Sequence, residues 1–565
     1  MNPATACARV LLDELVRCGL RDLVLCPGSR SAALAYAAQD LDRAGLLRLH
    51  VRVDERSAGF LALGLAKVSR RPVAVVTTSG TAVANLHPAV LEAAHAHVPL
   101  LVLSADRPPE LRGTGANQTM AQPGLFGGST RWSADLGTPD ATSSPTQWRS
   151  SVVRAVAAAT GALGGMAGPA HLNVPLREPF TPDDVVPGAA LDGAFAGRPD
   201  GAPWVTVAQP SSTTRPGAIA HVGRTLVVVG DLPEPGQAAE AVAWAARRGY
   251  PVVAEPFGAH DRTLVLPHGP VLLGVSDWLD RHEPERVITI GRITLSRNVG
   301  ALLRRPGVRV ETVTPTPDWT DPSHVVAAAH PFAALAERKP ATPDAAWAAA
   351  WRDAGAAVAR AIAGLDLDWT AGPRLAATIV ASLPAGATLF VGSSNAARDV
   401  DAGAAGRRDP VTIVASRGLA GIDGCVSTAA GIALAGDGPT YALLGDLTFV
   451  HDANGLAIGP GEPRPDLTIV VVNDGGGGIF STLEYGDPER AGDFPRIFTT
   501  PTGTDLAALC AAHGVPHVRV EGAAQLAAEV AAAPSGLRVV EVAVEPRHRE
   551  VAATLAEAAR GALAH

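Results

Sequence analysis

Short aliphatic and β-branched runs, each cut off by glycine or a small polar residue and followed by a helix-like pattern, recur along this chain. Leu23-Val24-Leu25 stops at Pro27-Gly28-Ser29, and Val73-Ala74-Val75-Val76-Thr77 stops at Ser79-Gly80-Thr81. Leu100-Leu101-Val102-Leu103 stops at Ser104-Ala105-Asp106, and Leu49-His50-Val51-Arg52-Val53 leads into a helix through Phe60 and Lys67. Strand, turn and helix repeating in this way describe a parallel sheet covered on both faces. Similar strands recur at 225–229, 252–253 and 287–290, then at 388–391, 412–415, 441–444, 467–472 and 537–542. Sequence rich in Pro, Gly, Asp and Ala at about 182–216 reads as a linker, and a polar stretch at 339–344 as a second break. A chain of 565 residues is also too long for one core. The expectation is therefore an α/β protein of three parallel-sheet α/β domains, at residues 1–182, 183–345 and 346–565.

Composition excludes several functions. The net charge of −8 argues against a nucleic-acid binder that works by bulk electrostatics. Lys67 and Lys339 are the only lysines, preceded by Ala66 and Arg338, so neither can be the Gly-Lys of a phosphate-binding P-loop. Cys7, Cys18, Cys26, Cys425 and Cys510 form no C-x-x-C pair and read as reduced thiols. The first 20 residues carry Arg9, Asp13, Glu14 and Arg17 at helical spacing, unlike a signal peptide, and no uncharged stretch is long enough for a bilayer. A cytoplasmic protein without membrane insertion is expected. His87, His95 and His97 are irregularly spaced for a metal site and read as solvated or capping residues.

The sharpest constellation is Leu443-Leu444-Gly445-Asp446 followed by Ile469-Val470-Val471-Val472-Asn473-Asp474-Gly475-Gly476. Each half is a buried strand ending in a polar residue. The residues between, including Phe449 to Leu456, are expected to supply the crossover helix of one βαβ unit. Neighbouring parallel strands then place Asp446 and Asn473 side by side at the carboxyl edge, where open α/β sheets bind ligands. One carboxylate and one carboxamide oxygen suit a hard divalent cation such as Mg²⁺, which keeps other positions for water and phosphate oxygens. Gly475 to Gly478 let the backbone approach closely and offer N–H groups or a carbonyl. The bland alternative is a helix-capping Asp446 beside a surface turn.

Gly445-Asp446 with Asn473 resembles the metal–diphosphate motif of thiamine-diphosphate enzymes, with Leu447 and Asp474 departing from its usual Gly and Asn. The resemblance implies a thiamine-diphosphate-binding fold: a pyrimidine-binding domain, a central domain and a diphosphate-binding domain. It implies Mg²⁺ or Mn²⁺ on Asp446, Asn473 and Gly475. It also implies that Glu55, in Val53-Asp54-Glu55-Arg56-Ser57, hydrogen-bonds the aminopyrimidine N1′ as the catalytic group. Such a carboxyl group needs a largely apolar pocket, where its proton is available near neutral pH; the bland reading is a first-turn acid favoured by the helix dipole. Further cofactor contacts implied are Pro27, Gly80, Gln118, Ser394, Gly418, Gly445 and Gly476, with Ile422 bending the cofactor. In this superfamily the two halves of a site come from different subunits, so a homodimer or homotetramer is implied.

Cys26-Pro27-Gly28-Ser29-Arg30-Ser31, Ser104-Ala105-Asp106-Arg107-Pro108, Gly115-Ala116-Asn117-Gln118, Ser416-Arg417-Gly418-Leu419-Ala420-Gly421-Ile422-Asp423-Gly424 and Gly478-Ile479-Phe480 narrow the branch. Together they resemble the menaquinone-pathway family of 2-succinyl-5-enolpyruvyl-6-hydroxy-3-cyclohexene-1-carboxylate synthases, a transferase family joining 2-oxoglutarate and isochorismate. Those two substrates bring four carboxylates, which guanidinium groups grip with paired hydrogen bonds. Arg30, Arg107, Arg398 and Arg417, with Arg292 after the strand ending Ile290-Gly291, are the arginines expected at the substrates. Ser29, Asn117, Gln118 and Ser394 are the polar partners the resemblance implies, and Ile479, Phe480 and Leu483 the apolar wall. Two alternatives stand beside this reading. One is an acetolactate-synthase-like enzyme or 2-oxoacid decarboxylase, which normally keeps Gly-Asp-Gly. The other is a non-catalytic cofactor or nucleotide binder, which has no need of Glu55.

Overall fold

The computed structural model of the protein describes residues 1–183, 191–208, 217–336, 343–403, 406–407, 409–487, 489 and 492–564. Parts of the expected linker (184–190 and 209–216) and most of the second break, with Lys339, lie outside the described residues.

Three sheets form, and every pairing in them is parallel. The first holds β1 (Asp22–Leu25), β2 (Arg48–Val51), β3 (Val73–Thr77), β4 (Leu100–Asp106), β5 (Trp132–Asp135) and β6 (Ala170–Pro175), in the order β2-β1-β3-β4-β6-β5. The second holds β7 (Thr225–Val229), β8 (Val252–Ala254), β9 (Arg286–Ile290), β10 (Arg309–Thr314) and β11 (Val326–Pro331), ordered β11-β10-β9-β7-β8. The third holds β12 (Thr388–Val391), β13 (Thr412–Ala415), β14 (Thr440–Gly445), β15 (Leu467–Asn473), β16 (His517–Val520) and β17 (Leu537–Ala543), ordered β13-β12-β14-β15-β17-β16. Counting within each sheet, the first and third share one strand order, a likeness that the residues themselves do not display. Strands β1, β3, β4 and β7 are buried along their whole length, as apolar runs without in–out alternation require.

By compactness the chain divides into two units, and neither is continuous in sequence. One comprises Met1–Ser212, Gly418–Asp437 and Asp452–Pro465; the other comprises Thr213–Arg417, Gly438–His451 and Asp466–His565. Each sheet falls within one of the three expected segments, and the boundaries at 182 and 345 remain a proposal. In the first unit, the helix Cys425–Ala435 packs on the helix Glu55–Ser69. Their contact is backbone on backbone: a Cβ on Gly64 would stand 2.1 Å from the Thr428 carbonyl oxygen, and one on Gly431 2.3 Å from that of Leu61.

Three local expectations are corrected. The strand expected over 49–53 ends at Val51, and Val53 is 82% exposed in the turn before the helix. The crossover between β14 and β15 is not one regular helix: Asp446–His451 is a helix of six residues, followed by a 3-10 turn at Ala453–Leu456. The described part of the expected linker is anchored, because Leu191 and Phe195 pack on the first core. Trp204 N–H there donates to Glu14, and Arg17 donates to the Arg198 carbonyl at 2.9 Å.

Glu14 also receives the buried Arg149 guanidinium at 2.6 Å, with Asp13 at 2.7 Å and the Phe195 carbonyl oxygen at 2.8 Å. Removing one member of such a group strands a desolvated charge. Arg149→Ala is expected to destabilise the protein by about 3 kcal/mol, read from its urea unfolding midpoint against wild type; a change below about 1 kcal/mol contradicts this assignment.

Candidate active site

The carboxyl edge of the first sheet gathers the residues expected there. Pro27 and Ser29 follow β1 in an exposed turn. Arg30 donates to the Leu176 carbonyl at 2.9 Å and lies over the Phe180 ring. Gly80 has φ +82°, and a Cβ there would meet the Gln118 side chain at 2.9 Å. The Gln118 carboxamide donates to the Ser79 carbonyl at 2.9 Å, while the Ser79 hydroxyl bonds both the Gln118 carbonyl and Arg107. Gly80, Arg107 and Gln118 are thus joined through Ser79, with Asn117 exposed next to Gln118. Beneath them runs a buried polar chain that the sequence reading missed. Asn173 donates to Asp106 at 2.9 Å and accepts from Gln122 at 2.7 Å, and Ser104 bonds His171 at 2.7 Å. Burial lowers the His171 pKa to about 4, so its imidazole is neutral at pH 7.

Glu55 is the first residue of its helix, capped by Asp54 accepting from Ser57 N–H at 3.2 Å. Its half-buried carboxylate accepts from the Asn85 amide at 3.4 Å. Asp452 and Asn454 clamp the start of that helix. Asp452 accepts from the Ser57 hydroxyl at 3.1 Å and the Ser427 N–H at 2.7 Å, and Asn454 donates to Asp54 at 2.7 Å. Gly418 and Leu419 N–H groups both donate to the buried Glu92, at 2.8 and 2.6 Å, which seats the 418–424 loop carrying half-buried Ile422. A buried Glu92 in that role leaves no signal in sequence spacing.

In the second unit β14 and β15 are adjacent, with Gly445 opposite Val472, so Asp446 and Asn473 emerge side by side. Asp446 is 8% exposed, and burial, with Asp474 facing it, pushes its carboxyl up to about 7. Asn473 donates its amide to Glu541 at 2.8 Å, because a carboxylate only accepts. Its Oδ1 is thereby turned to the loop, where Gly475 N–H donates to it at 3.2 Å. Gly475 and Gly476 adopt φ +75° and +142°, and a Cβ on Gly476 would lie 2.1 Å from the Thr499 carbonyl oxygen. A desolvated carboxylate facing a second acid, with a carboxamide oxygen beside it, fits a divalent cation that also takes diphosphate oxygens. Among the described residues no cluster of three His, Cys, Asp or Glu forms a self-sufficient metal site, and His87, His95 and His97 do not make one.

A cavity of about 1500 Å³ in this unit is lined by Arg398, Asp399, Ile479, Leu483 and His548 among others. Phe480 stands on the Ile479 turn against Phe498, with ring centroids 5.5 Å apart, and is not among the lining residues. Ser394 has φ +70°, and its carbonyl accepts from Arg398 at 2.8 Å. Arg292 donates to the Arg417 carbonyl at 3.0 Å, and Arg417 donates to Thr294 Oγ1 at 3.1 Å. Both guanidinium groups are engaged within the protein, and neither residue lines the cavity. Arg297, which the sequence reading missed, does line it. Desolvation, then the like charges of Arg417 and Arg297, lowers the Arg398 pKa, which places these three guanidinium groups within one another's field. The buried Glu255 accepts from Thr294 and Leu295 N–H groups and so holds the turn that Arg417 grips. Burial raises its pKa to about 7.

Residues 5–125 match the model of the thiamine pyrophosphate enzyme N-terminal TPP binding domain, and residues 400–544 that of the C-terminal TPP binding domain. The 2-succinyl-5-enolpyruvyl-6-hydroxy-3-cyclohexene-1-carboxylate synthase of Saccharopolyspora erythraea is 49% identical over 572 aligned positions, covering 100% of both chains. The chain belongs to this synthase family. A relative of the same name from Kineococcus radiotolerans is 50% identical, covering 98% of this chain and 99% of its own. The crystal structure of benzoylformate decarboxylase from Polynucleobacter necessarius shares the fold, with a TM-score of 0.67 at 18% identity over 97% of this chain and 99% of that one. The synthase family therefore carries the α/β thiamine-diphosphate fold seen in the three sheets, and the two matched segments hold Glu55 and the Asp446–Asn473 pair respectively.

Proposed function

We propose that this chain is a transferase that decarboxylates 2-oxoglutarate and adds the four-carbon unit to isochorismate, giving 2-succinyl-5-enolpyruvyl-6-hydroxy-3-cyclohexene-1-carboxylate and CO₂ in menaquinone biosynthesis. The observation that carries it is near-50% identity, end to end, with synthases of that name. Asp446, Asn473 and the Gly475 carbonyl hold Mg²⁺ or Mn²⁺, and the glycine backbone at 475–476 takes the diphosphate. Thiamine diphosphate, when bound, supplies the thiazolium that accepts the electrons left by decarboxylation. Glu55 holds a proton at the aminopyrimidine N1′. Pro27, Gly80, Gln118, Ser394, Gly418, Gly445 and Ile422 line the remainder of the cofactor, with Glu55 and the metal pair contributed by different subunits of a homodimer or homotetramer. Arg30, Arg107 and Arg398, with Ser29, Asn117, Gln118 and Ser394, orient the carboxylates through paired, charge-assisted hydrogen bonds. Arg292 and Arg417 belong to the same expected set, and to meet a carboxylate they must turn from the Arg417 carbonyl and Thr294 respectively. Ile479, Phe480 and Leu483 exclude water from the acceptor.

Among the described residues no helix is long and apolar enough to cross a membrane. In this reading the enzyme works on two water-soluble acids in the cytoplasm. The deciding assay supplies thiamine diphosphate, Mg²⁺, 2-oxoglutarate and isochorismate, and follows loss of isochorismate absorbance. Consumption is expected only with both acids present. Turnover of pyruvate, with isochorismate untouched, assigns the chain instead to the acetolactate-synthase or decarboxylase kind.

A further inference from the structure

The loop 473–478 poses a mechanical problem. It has to present Asn473 and a backbone carbonyl to a cation, yet Gly475 to Gly478 have no side chains with which to hold themselves in place. Their backbone anchors are few: Gly477 N–H donates to the Thr499 carbonyl at 2.7 Å, and Gly478 N–H to that of Gly476 at 3.0 Å. Besides Asn473, which Glu541 holds, the loop has a side-chain anchor in Asp474, whose Oδ2 meets His548 Nε2 at 2.8 Å. His548 is the first residue of the long helix His548–Ala562 and lines the cavity, so it ties the loop to a fifteen-residue element. The joint is tight, since a Cβ on Gly478 would fall 2.1 Å from Asp474 Oδ2 and 2.7 Å from His548 Nε2. Asp474 is also where the chain departs from the Asn of the wider superfamily motif, and an acid at that position creates a difficulty. Its carboxyl faces Asp446, so it is a second hard anion beside the cation position and competes for the ion.

We infer that His548 is a positioning residue for the cation and diphosphate loop, holding the Asp474 carboxylate to itself so that Asp446 and Asn473 alone present side-chain oxygens to the metal. The inference rests on the metal-site reading above. Asp399 stands behind the pair in the same cavity wall, and its carboxyl is raised to about 7 by desolvation. His548 acts on the loop through its bond to Asp474.

The test measures the apparent dissociation constants of Mg²⁺ and thiamine diphosphate by tryptophan fluorescence on the full chain, alongside the melting temperature without ligand. His548→Ala is expected to weaken both constants on the order of tenfold, with an unliganded melting temperature within about 2 °C of wild type. His548→Gln keeps an N–H donor near the Nε2 position and is expected to restore binding to within about threefold of wild type. In an Asp474→Ala background, His548→Ala is expected to add nothing further. The inference is overturned by wild-type affinity in His548→Ala, by an undiminished effect in the Asp474→Ala background, or by a loss that follows the unliganded melting temperature and is not rescued by Gln. Asp446→Ala separates the two layers. Weakened binding there with wild-type binding in His548→Ala overturns this inference alone, whereas unchanged binding in Asp446→Ala overturns the metal site itself.

Discussion

Glu55→Gln is expected to bind thiamine diphosphate and Mg²⁺ within about twofold of wild type and to turn over about 1000-fold more slowly. The change is nearly isosteric, and the surroundings of Glu55 tolerate it. Asp54 caps the helix independently of residue 55, and Asn85 supplies a single long hydrogen bond at 3.4 Å that a carboxamide oxygen also accepts. The Ser57–Asp452–Ser427 joint that fixes the helix start is untouched. What is lost is the acid itself, because a carboxamide cannot hold a transferable proton at N1′. Turnover is followed by isochorismate loss under saturating substrates and binding by fluorescence titration. Activity within tenfold of wild type, at normal cofactor affinity, removes Glu55 from the mechanism.

Asp446→Ala is expected to fail on the binding side. Ligand at about 100 times its dissociation constant stabilises a folded protein by about 2.7 kcal/mol. The variant, at the ligand concentration that achieves this in wild type, is expected to show almost none of that gain in a thermal melt. The unliganded variant should not melt lower. The folded-state pKa of Asp446 is raised to about 7, so between the ordinary carboxylate range and about pH 7 the unfolded chain ionises first. Stability from this group is present at low pH and is lost as pH rises through that interval, leaving an ionised Asp446 as a net cost above it. Removing it at pH 8 therefore relieves a cost while deleting the cation's carboxylate. A full ligand-induced shift in Asp446→Ala contradicts the assignment.

The sequence is most legible where one residue type answers one local demand. Strand ends at Gly445-Asp446 and Asn473 are visible because a buried apolar run stops at a polar residue, and adjacency of β14 and β15 follows from the parallel topology. Five strands, β5, β6, β10, β11 and β16, escape that signal, and three of them show why. β5 and β11 alternate exposed and half-buried residues, and β6 hides His171 and Asn173 in a fully buried strand. Their polar residues are satisfied by partners far along the chain, which no local window reports. The same holds at the site. Arg398 sits in a recognisable motif, whereas Arg297 has no motif around it and reaches the cavity through the helix Arg297–Leu303. Arg292 and Arg417 illustrate the converse, since both stand at expected positions yet Arg292 donates to the Arg417 carbonyl and Arg417 to Thr294. Glu92, Asp452 and His548 act only through partners dozens to hundreds of residues away, so spacing carries no trace of them.

The interleaving of the first unit has a consequence for how the protein is made. The helix Glu55–Ser69 is capped early in synthesis, but Gly431 and the Asp452 carboxylate that seat it belong to residues 418–437 and 452–465. A ribosome must therefore deliver some 400 further residues before the apolar face around Gly64 is covered, and the nascent chain carries that face open meanwhile. For the same reason an excised piece ending at Ser212 retains its six-stranded sheet but lacks its covering helix, which makes the amino-terminal region a poor unit for separate expression.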